Sequence, residues 1–263
     1  MIRKKRLNRL GTGLFTFISI FYVLPVVVVL FNSFKKKSYI NLEPFKLPNE
    51  TTFTGVDNYT TAINQYDFLK AVGWTVFITV GSVLVILICT SMCAWFITRV
   101  KNRVTKGIYI LCVFSMVVPF QMVMFTLSLV TDRLGLGTPW GLIIIYLGFG
   151  AGLAVFMFCG FVKSIPIEIE EAAMIDGCSP IRTFFSVVLP IMKPTYISVG
   201  ILETMWIWND FLLPYLTLDI KKYKTISIVI QYMKGSYGRV DMGAIMAALI
   251  MAVIPVVIFY LAC

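Results

Sequence analysis

Residues that could do chemistry are few in this sequence, and the missing types narrow the possible reactions. None of the 263 residues is histidine, the side chain that most often shuttles protons near neutral pH and binds metals. The sequence also has no G-x-S-x-G, G-x-x-x-x-G-K-[ST] or G-x-G-x-x-G pattern, so no motif supports a hydrolase or a nucleotide-binding function. We therefore expect no catalytic residue, no metal site and no cofactor in this chain, and we expect any ATP to be bound by another chain.

Two carboxylates are notable because they interrupt an otherwise uncharged apolar stretch over 194–218. Glu203 lies about 14 Å along a helix from Pro194 at roughly 1.5 Å per residue, which is near the middle of a bilayer. An acid at that depth costs about 2.5–3.5 kcal/mol and should face a cavity or a partner rather than lipid. Asp210 should share the helix face of Glu203, with Trp206 between them.

The apolar stretches also contain candidates for a solute pathway. Aromatic rings offer stacking faces, and the amide and acids offer polar partners, so the tryptophan, amide and acids of 194–218 could form an amphipathic lining. A structural role is the alternative, in which the acid bonds to a neighbouring helix and the proline only kinks its own. The candidate pathway residues are Glu203, Trp206, Asn209, Asp210, Pro119 and Gln121.

The cysteines show no metal-binding spacing. Cys89 and Cys93 would share a helix face at i and i+4, but small polarizable side chains in apolar runs usually pack between helices. We expect that packing role for the six cysteines, which are Cys89, Cys93, Cys112, Cys159, Cys178 and Cys263.

The elements that position these residues must be membrane-spanning helices. Hydrophobic residues make up 59% of the sequence and charged residues only 14%, which is more apolar than a water-exposed surface allows. Each apolar run reaches the roughly 20 residues that a helix needs to cross hydrocarbon, and a spanning backbone must satisfy its own hydrogen bonds. We predict an all-α integral membrane protein with one transmembrane domain over 1–263 and six transmembrane helices, at about 12–34, 71–98, 107–130, 140–162, 195–217 and 242–263.

Basic residues indicate how the chain is oriented. Five of them precede the first span, as positive residues on the cytoplasmic side do, and four more lie within 99–106. Against this, the predicted topology places 12 basic residues on the cytoplasmic side and 11 outside, and three of the outer ones follow the first span directly: Lys35, Lys36 and Lys37. We expect a cytoplasmic N-terminus and a retained first helix, because the first apolar run is too long for a signal peptide and lacks a cleavage site.

The segment 163–193, between the fourth and fifth spans, predicts two cytoplasmic helices joined by a tight turn. Pro166 suits a first helical turn, and Gly177 suits the left-handed position that ends a helix. Ser179 followed by Pro180 then gives an N-cap and a first-turn proline for the second helix. Three acids oppose the positive end of the first helix dipole: Glu168, Glu170 and Glu171.

The second of these helices has an apolar face, which in water needs a partner. That partner is either the protein's own spans or another subunit. The face comprises Ile181, Phe184, Phe185, Val188 and Leu189, and the helix ends at Pro190 and Pro194.

One motif in this loop resembles a known family. Glu171-Ala172-Ala173, followed by Gly177 and by Leu189-Pro190, resembles the EAA loop of permease subunits in binding-protein-dependent ABC importers, with Val187 a mild departure from the usual I-x-L-P ending. The resemblance covers roughly 31–260. Over this range the sequence is similar to the smaller permease subunit of maltose-type carbohydrate importers. It also rests on Asn32-Ser-Phe-Lys35, Asn58-Tyr59, Pro119-Phe-Gln121, Leu134-Gly-Leu-Gly137 and Trp208-Asn-Asp-Phe211.

This resemblance implies a transport role in a bacterial cell membrane, with no enzymatic activity in this chain. The chain would form a pathway with a homologous permease for a sugar or oligosaccharide that an extracellular binding protein delivers. An ATPase dimer would bind ATP and Mg²⁺, and the loop 163–193 would couple to it. The resemblance implies coupling roles for Glu171, Ala172, Ala173, Asp176, Gly177, Leu189 and Pro190.

Two other functions stay open at this point. Glycerol phosphate or another polyol could replace the sugar. An ion-coupled secondary transporter is less favoured because the sequence lacks the repeated, charge-bearing broken helices of that class.

Members of the resembled family usually carry a polar tail after the last span, whereas this sequence stops at Cys263.

Overall fold

The computed structural model describes residues 2–235 and 240–262, with side chains from Gly11 onward. Within these residues the only β structure is one isolated bridge between Lys35 and Phe53, and the predicted all-helical class is confirmed. The helices are α1 Ile2–Asn32, α2 Lys37–Leu42, α3 Asp57–Gln65, α4 Phe68–Arg99, α5 Arg103–Val117, α6 Phe120–Arg133, α7 Pro139–Val162, α8 Ile167–Ile175, α9 Pro180–Thr183, a π-helical turn Phe184–Val188, α10 Leu189–Ile191, α11 Lys193–Asn209, α12 Leu212–Thr217, α13 Ile226–Met233 and α14 Met242–Ala262.

The chain forms two compact units. One contains the residues up to Lys70 together with Val229–Ala262, and the other contains Ala71–Ile228. The coupling loop and all the candidate pathway residues belong to the second unit, so that unit holds both parts of the candidate site.

Within the part of the chain that the structure describes, four helices are long and apolar enough to cross a membrane. They are Gly11–Asn32, α4, α7 and Met242–Ala262, and the count rises to six if each of two bent helix pairs is one span. The predicted number of six therefore stays a prediction. Cys263, the predicted end of the last span, lies outside the described residues, as does 236–239 in the loop before it.

The predicted span over 107–130 is divided between two helices at Pro119, the proline expected to interrupt it. α5 ends at Val117, and α6 starts at Phe120 after a bend of 106°. Val118 is extended, with φ −76° and ψ 114°, because the ring of a following proline disfavours the helical conformation of the preceding residue. Pro119 then occupies the N-cap of α6, where its missing N–H costs nothing.

The predicted span over 195–217 is likewise divided between two helices. α11 ends at Asn209, Asp210 is extended with ψ 131°, and α12 begins at Leu212. A second bend, of 78°, lies between Pro180–Ile191 and α11. The fifth predicted span thus has a break near each end.

Lys35, in the first unit, is a buried structural residue rather than a charge at the membrane surface. Its side chain is 1% exposed, its ammonium donates to the Glu43 carbonyl oxygen at 2.8 Å, and it lies 4.9 Å from the ring centroid of Phe31. Burial lowers the pKa of Lys35, and the charge of Glu43 opposes this shift. Lys35 therefore weighs little against a cytoplasmic N-terminus, since the charge rule concerns residues at the membrane surface.

The core of the second unit is centred on α7. Tyr146, Phe158 and Val162 on α7 are fully buried, as are Ile86 on α4 and Val199 on α11. Small residues let helices approach α7 closely: a Cβ added to Gly152 would lie 2.7 Å from the Cys112 carbonyl oxygen of α5. α7 is thus the helix against which the site-bearing helices pack.

Candidate functional site

The loop between α7 and α11 is built from two short helices with a defined turn. Gly177 has φ +83°, a conformation that favours glycine. The N–H of Cys178 donates to the Ala173 carbonyl oxygen at 3.0 Å, and the N–H of Gly177 donates to that of Met174 at 3.0 Å, which is a Schellman-type ending. The Ser179 hydroxyl oxygen caps α9 by accepting from the Arg182 N–H at 3.3 Å. The turn is therefore fixed by backbone bonds and a side-chain cap.

Glu170 fixes this loop to the end of α4. Its side chain is 2% exposed and accepts from the Trp95 indole N–H at 2.9 Å. Its other oxygen accepts from Arg99 Nε at 2.9 Å and from Arg99 Nη2 at 2.6 Å. The Arg99 guanidinium also donates to the Ile165 carbonyl oxygen at 2.9 Å. A carboxylate with both oxygens bound in this way holds α8 in a set position relative to α4.

The motif residues themselves lie mostly at the surface of the loop. Glu171, next to the buried Glu170, is exposed, while Ala173 and Leu189 are half-buried. Pro190 is exposed in the first turn of α10. The other exposed members of the predicted coupling set are Ala172, Asp176 and Gly177. All of these residues were predicted from the motif, whereas the anchoring contacts of Glu170 were not.

The predicted apolar face of the second helix is split between two surroundings. Phe184 and Val188 are 1% and 0% exposed, and the Phe184 ring centroid lies 5.5 Å from that of Trp95. Ile181 and Phe185 stay 66% and 45% exposed. The protein's own span thus covers one half of this face, and the other half is uncovered.

Glu203 is buried in the middle of α11 against α7. Its side chain is 2% exposed, and a Cβ added to Gly150 would lie 2.9 Å from its Oε2 and 2.7 Å from Ile86 Cδ1. The absent side chain of Gly150 therefore makes the space for the carboxylate. Within the described part of the chain, no group donates a hydrogen bond to Glu203, so the structural alternative, in which this acid bonds to a neighbouring helix, finds no partner there.

Asp210 joins the two pieces of the fifth predicted span and binds Tyr146. Its Oδ1 accepts from the Leu212 N–H at 3.0 Å and the Leu213 N–H at 3.4 Å, which caps α12. Its Oδ2 accepts from the Tyr146 hydroxyl at 3.0 Å. Trp206 is 41% exposed and meets the Tyr146 ring edge-on at 5.4 Å. Tyr146, Trp206 and Asp210 thus form one amphipathic cluster.

The structure brings some of the candidate pathway residues together and leaves others apart. Glu203 and Asp210 face α7 at Gly150 and Tyr146, although Asp210 lies beyond the helix end and does not share a helical face with Glu203. The Asn209 amide is exposed and donates to the Met205 carbonyl oxygen at 2.8 Å. Pro119 and Gln121 are exposed at the start of α6, and within residues 11–235 and 240–262 no hydrogen bond or ion pair joins them to the acids.

The sequence missed Tyr146 because it lies in an uncharged run where aromatic residues are frequent. A weak signal was present: Tyr146 is four residues from Gly150, so both lie on one face of α7. Among the described residues, no group of three or more Cys, Asp or Glu side chains could hold a metal ion. The site is therefore a set of paired and unpaired acids with aromatic neighbours.

Comparison with known proteins identifies the family of this fold. Residues 86–262 match the family described as the binding-protein-dependent transport system inner membrane component. The chain belongs to this family. The matched residues include the α8 loop with Glu170 as well as the cluster at Tyr146, Glu203 and Asp210, so both parts of the site lie within the family's shared region.

Two relatives of this inner membrane component extend over nearly all of it. It is 38% identical over 260 residues to a probable starch degradation products transport system permease protein of Thermoanaerobacterium thermosulfurigenes, covering 98% of this chain and 92% of the relative. It is 34% identical over 247 residues to a multiple sugar-binding transport system permease protein of Streptococcus mutans, covering 92% and 87%.

A solved structure shows the same fold. A chain of a bacterial ABC transporter involved in the import of the acidic polysaccharide alginate matches with a TM-score of 0.79 at 19% identity, covering 98% of this chain and 95% of that one. The inner membrane component is therefore a transport component, with several apolar helices placed as in a multi-pass inner membrane protein.

Proposed function

We propose that this chain is the permease subunit of an ATP-driven importer and that, with a homologous second permease, it forms the pathway for a sugar or oligosaccharide. Permeases for starch degradation products and for multiple sugars are similar to it over almost its whole length. The observation that carries the proposal is the loop held by Glu170, because that loop joins an exposed apolar surface directly to a membrane-spanning helix.

The exposed apolar surface of this loop is the proposed contact with a separate ATPase subunit. Met174, Ile175, Ile181 and Phe185 are 45%, 85%, 66% and 45% exposed. They flank the Gly177 turn, where the backbone is fixed. An apolar surface on a rigid, projecting element is suited to insertion into a groove of a partner. ATP and Mg²⁺ would be bound by that partner.

The Glu170–Arg99 pair is the proposed route by which ATPase motion reaches the membrane. The carboxylate oxygens of Glu170 accept hydrogen bonds from Trp95 and Arg99, both on the last turns of α4. Because the pair is largely buried and Arg99 donates two hydrogen bonds to one carboxylate oxygen, α8 cannot rotate without moving α4 or breaking the bonds. A push on α8 would therefore move α4.

The proposed solute pathway runs beside Tyr146, Trp206 and Asp210. Trp206 offers an aromatic face for the C–H surface of a sugar ring, and Asp210 offers carboxylate oxygens for its hydroxyls. Glu203 lies deeper, where its buried carboxylate lacks a donor and could accept a hydrogen bond from a passing hydroxyl. This supports a carbohydrate over a purely apolar solute, which would gain nothing from these acids.

The proposed topology follows from the side on which the ATPase binds. The loop 163–193 and the basic segment 99–106 would be cytoplasmic, together with the N-terminus. An extracellular binding protein would then deliver the solute at the opposite side of the membrane.

Reconstitution of the complete transporter tests this function. The chain, its partner permease, the ATPase and the binding protein are placed in proteoliposomes, and ATP-driven uptake of a panel of labelled sugars and glycerol phosphate is measured. We expect saturable uptake of at least one sugar or oligosaccharide. Uptake of glycerol phosphate with no sugar transported, or uptake driven by an ion gradient without ATP, would contradict the proposal.

A substitution in the loop tests the ATPase contact separately. Ile175→Asp places a charge on the most exposed apolar residue of the loop and should remove the ATPase from the purified complex. Leu47→Asp is the matched control, since Leu47 is 71% exposed in the other compact unit. Normal recovery of the ATPase with Ile175→Asp would show that this surface is not the contact.

A further inference from the structure

A basic cavity lies at the same end of the second unit as the α8 loop. It has a volume of about 500 Å³ and is lined by residues from the end of α4, the start of α5 and the end of α7. Four of its lining side chains are cations, namely Lys101, Arg103, Lys106 and Lys163. Its inner wall is less polar and includes Ile97 and Tyr109. Cations from two segments of the chain, 101–106 and 163, thus surround one space.

These four cations lack carboxylate partners. Within residues 11–235 and 240–262 the ion pairs are Lys46–Glu43, Arg99–Glu170 and Lys222–Asp219, and none includes a cation of this cavity. Four like charges around one cavity repel each other, and the repulsion is relieved when an anion enters. The lining therefore favours a ligand with negative charge.

The segment that carries three of the cations is rigid. Asn102 caps α5 by accepting from the Thr105 N–H at 2.8 Å, and the Thr105 hydroxyl donates to the Val100 carbonyl oxygen at 2.6 Å. Thr105 is only 2% exposed. The cations accordingly project from a fixed turn rather than from a flexible loop, so an anion would meet a prepared site.

An apolar cavity adjoins the basic one. It has a volume of about 650 Å³, and it shares Tyr109 and Lys163 with the basic cavity. The Lys163 ammonium lies 5.9 Å from the centroid of the Tyr109 ring. Beyond this pair the lining passes between α7 and α11. It is mainly apolar, with Phe156, Met157, Gly160, Phe161 and Pro194, and it also includes Ser164, Thr195 and Ser198, of which Ser164 and Ser198 donate their hydroxyls to backbone carbonyl oxygens.

We infer that the two cavities together bind one anionic phospholipid, with its phosphate headgroup among Lys101, Arg103, Lys106 and Lys163 and an acyl chain along Phe156, Gly160 and Phe161. Basic pockets between membrane helices at the level of the headgroups suit such lipids. The adjoining apolar cavity favours a lipid over free phosphate, since an inorganic ion would use only the basic half. It also favours a lipid over an acidic protein segment, which has no acyl chain to place there.

Lipid retention by the purified importer complex tests the basic half. The complex is placed in nanodiscs of phosphatidylcholine with phosphatidylglycerol, and the bound lipids are counted by native mass spectrometry. In a variant that combines Lys101→Gln, Arg103→Gln, Lys106→Gln and Lys163→Gln, the affinity for phosphatidylglycerol should fall by about fivefold for each cation removed. The matched control replaces four exposed cations elsewhere with Gln, namely Lys70, Arg133, Lys221 and Lys234, and should keep the lipid, as should a variant with Arg at positions 101, 106 and 163.

A second variant tests the apolar half without changing any charge. Gly160 lines the cavity, and a Cβ added there would have no atom within 4 Å, so Gly160→Leu places a side chain in the acyl-chain space and should lower lipid retention at least threefold. Gly148→Leu, at another unobstructed glycine of α7, is the matched control and should have no effect.

Three results would overturn the inference. The first is equal phosphatidylglycerol retention by the cation variant and the wild type. The second is displacement of the lipid by inorganic phosphate at comparable concentration, which would indicate a site for the free ion. The third is loss of the partner permease or ATPase from the Gly160→Leu complex, which would show that the apolar cavity is a subunit interface. None of these depends on which solute is transported, so the proposed function can fail or succeed independently.

Discussion

The two buried glutamates of the second unit differ in how their charges are compensated. Glu170 and Glu203 are each 2% exposed. The first has its oxygens bound by Trp95 and Arg99, whereas no described group donates to the second. Burying a charge is tolerated when it is paired and costly when it is not. The loop acid is therefore an anchor, and the acid of the span is kept at a cost that points to function.

The sharpest way to break this comparison is to remove the charge of Glu170. Glu170→Gln leaves the Arg99 guanidinium largely buried without its counter-charge, and the free energy of unfolding should fall by about 3 kcal/mol. Thermal unfolding of the purified complex measures this change, and ATP-driven uptake should be lost with it. The control is the exposed neighbour: Glu171→Gln should change stability by less than about 0.5 kcal/mol. Equal effects of the two substitutions would contradict an anchoring role for Glu170.

The space around Glu203 gives the next largest effect. In Gly150→Ala, the new Cβ would lie 2.7 Å from Ile86 Cδ1 and 2.9 Å from Glu203 Oε2, so α7 and α11 must separate or the carboxylate must move. We expect a loss of about 1–3 kcal/mol, measured by chemical unfolding in detergent. Gly148→Ala, which meets no atom within 4 Å, should instead stabilise α7 by up to about 1 kcal/mol. If Gly150→Ala and Gly148→Ala changed the free energy of unfolding in the same direction, Gly150 would not be the residue that makes room for Glu203.

The turn beside Glu170 should show a smaller loss of stability with a large loss of function. Gly177→Val forces a β-branched residue to φ +83°, at about 1–2 kcal/mol. The α8–α9 angle should change, so ATP hydrolysis should no longer drive uptake while the binding protein keeps its affinity. Asn tolerates this conformation better, and Gly177→Asn should transport near normally. Normal coupling in a properly inserted Gly177→Val or Gly177→Pro variant would exclude a role for the turn.

The smallest expected effect has the opposite sign. Glu203→Gln removes an uncompensated charge with little change of shape and should raise the free energy of unfolding by about 1 kcal/mol. Asp210→Asn, in contrast, should lower it by a similar amount, because the Asp210 carboxylate accepts from Tyr146, Leu212 and Leu213. Unfolding curves of both variants together with sugar uptake check this. A destabilised Glu203→Gln variant would indicate a partner for Glu203 beyond the described groups.

Much of the contrast between Glu170 and Glu203 could not be predicted from the sequence. Length and apolarity predict the long spans well: α4, α7 and α14 begin and end within three residues of the predicted bounds that the structure describes. The EAA motif and the Gly177 turn depend on local spacing, which the sequence contains. Glu170 depends on packing: three glutamates lie within four residues, and only the position of Arg99 on another helix decides which one turns inward.

The breaks in the spans were predictable in part. Pro119 interrupts its apolar run visibly, but a proline can kink a membrane helix without ending it, so a bend of 106° did not follow. The break at Asp210 has no proline or glycine at the site and depends on the carboxylate capping α12. The pairing of Asp210 with Tyr146 joins residues 64 positions apart, and periodicity contains no information at that separation.

The bend at Pro119 also has a consequence for the surrounding bilayer. α5 has 15 residues and is therefore about 22 Å long, whereas the hydrocarbon layer is about 30 Å thick. Such hydrophobic mismatch costs fractions of a kcal/mol per Å and is met by local thinning of the bilayer or by shielding from neighbouring protein. Acyl-chain length in the host membrane thus acts directly on the segment that includes Pro119 and Gln121.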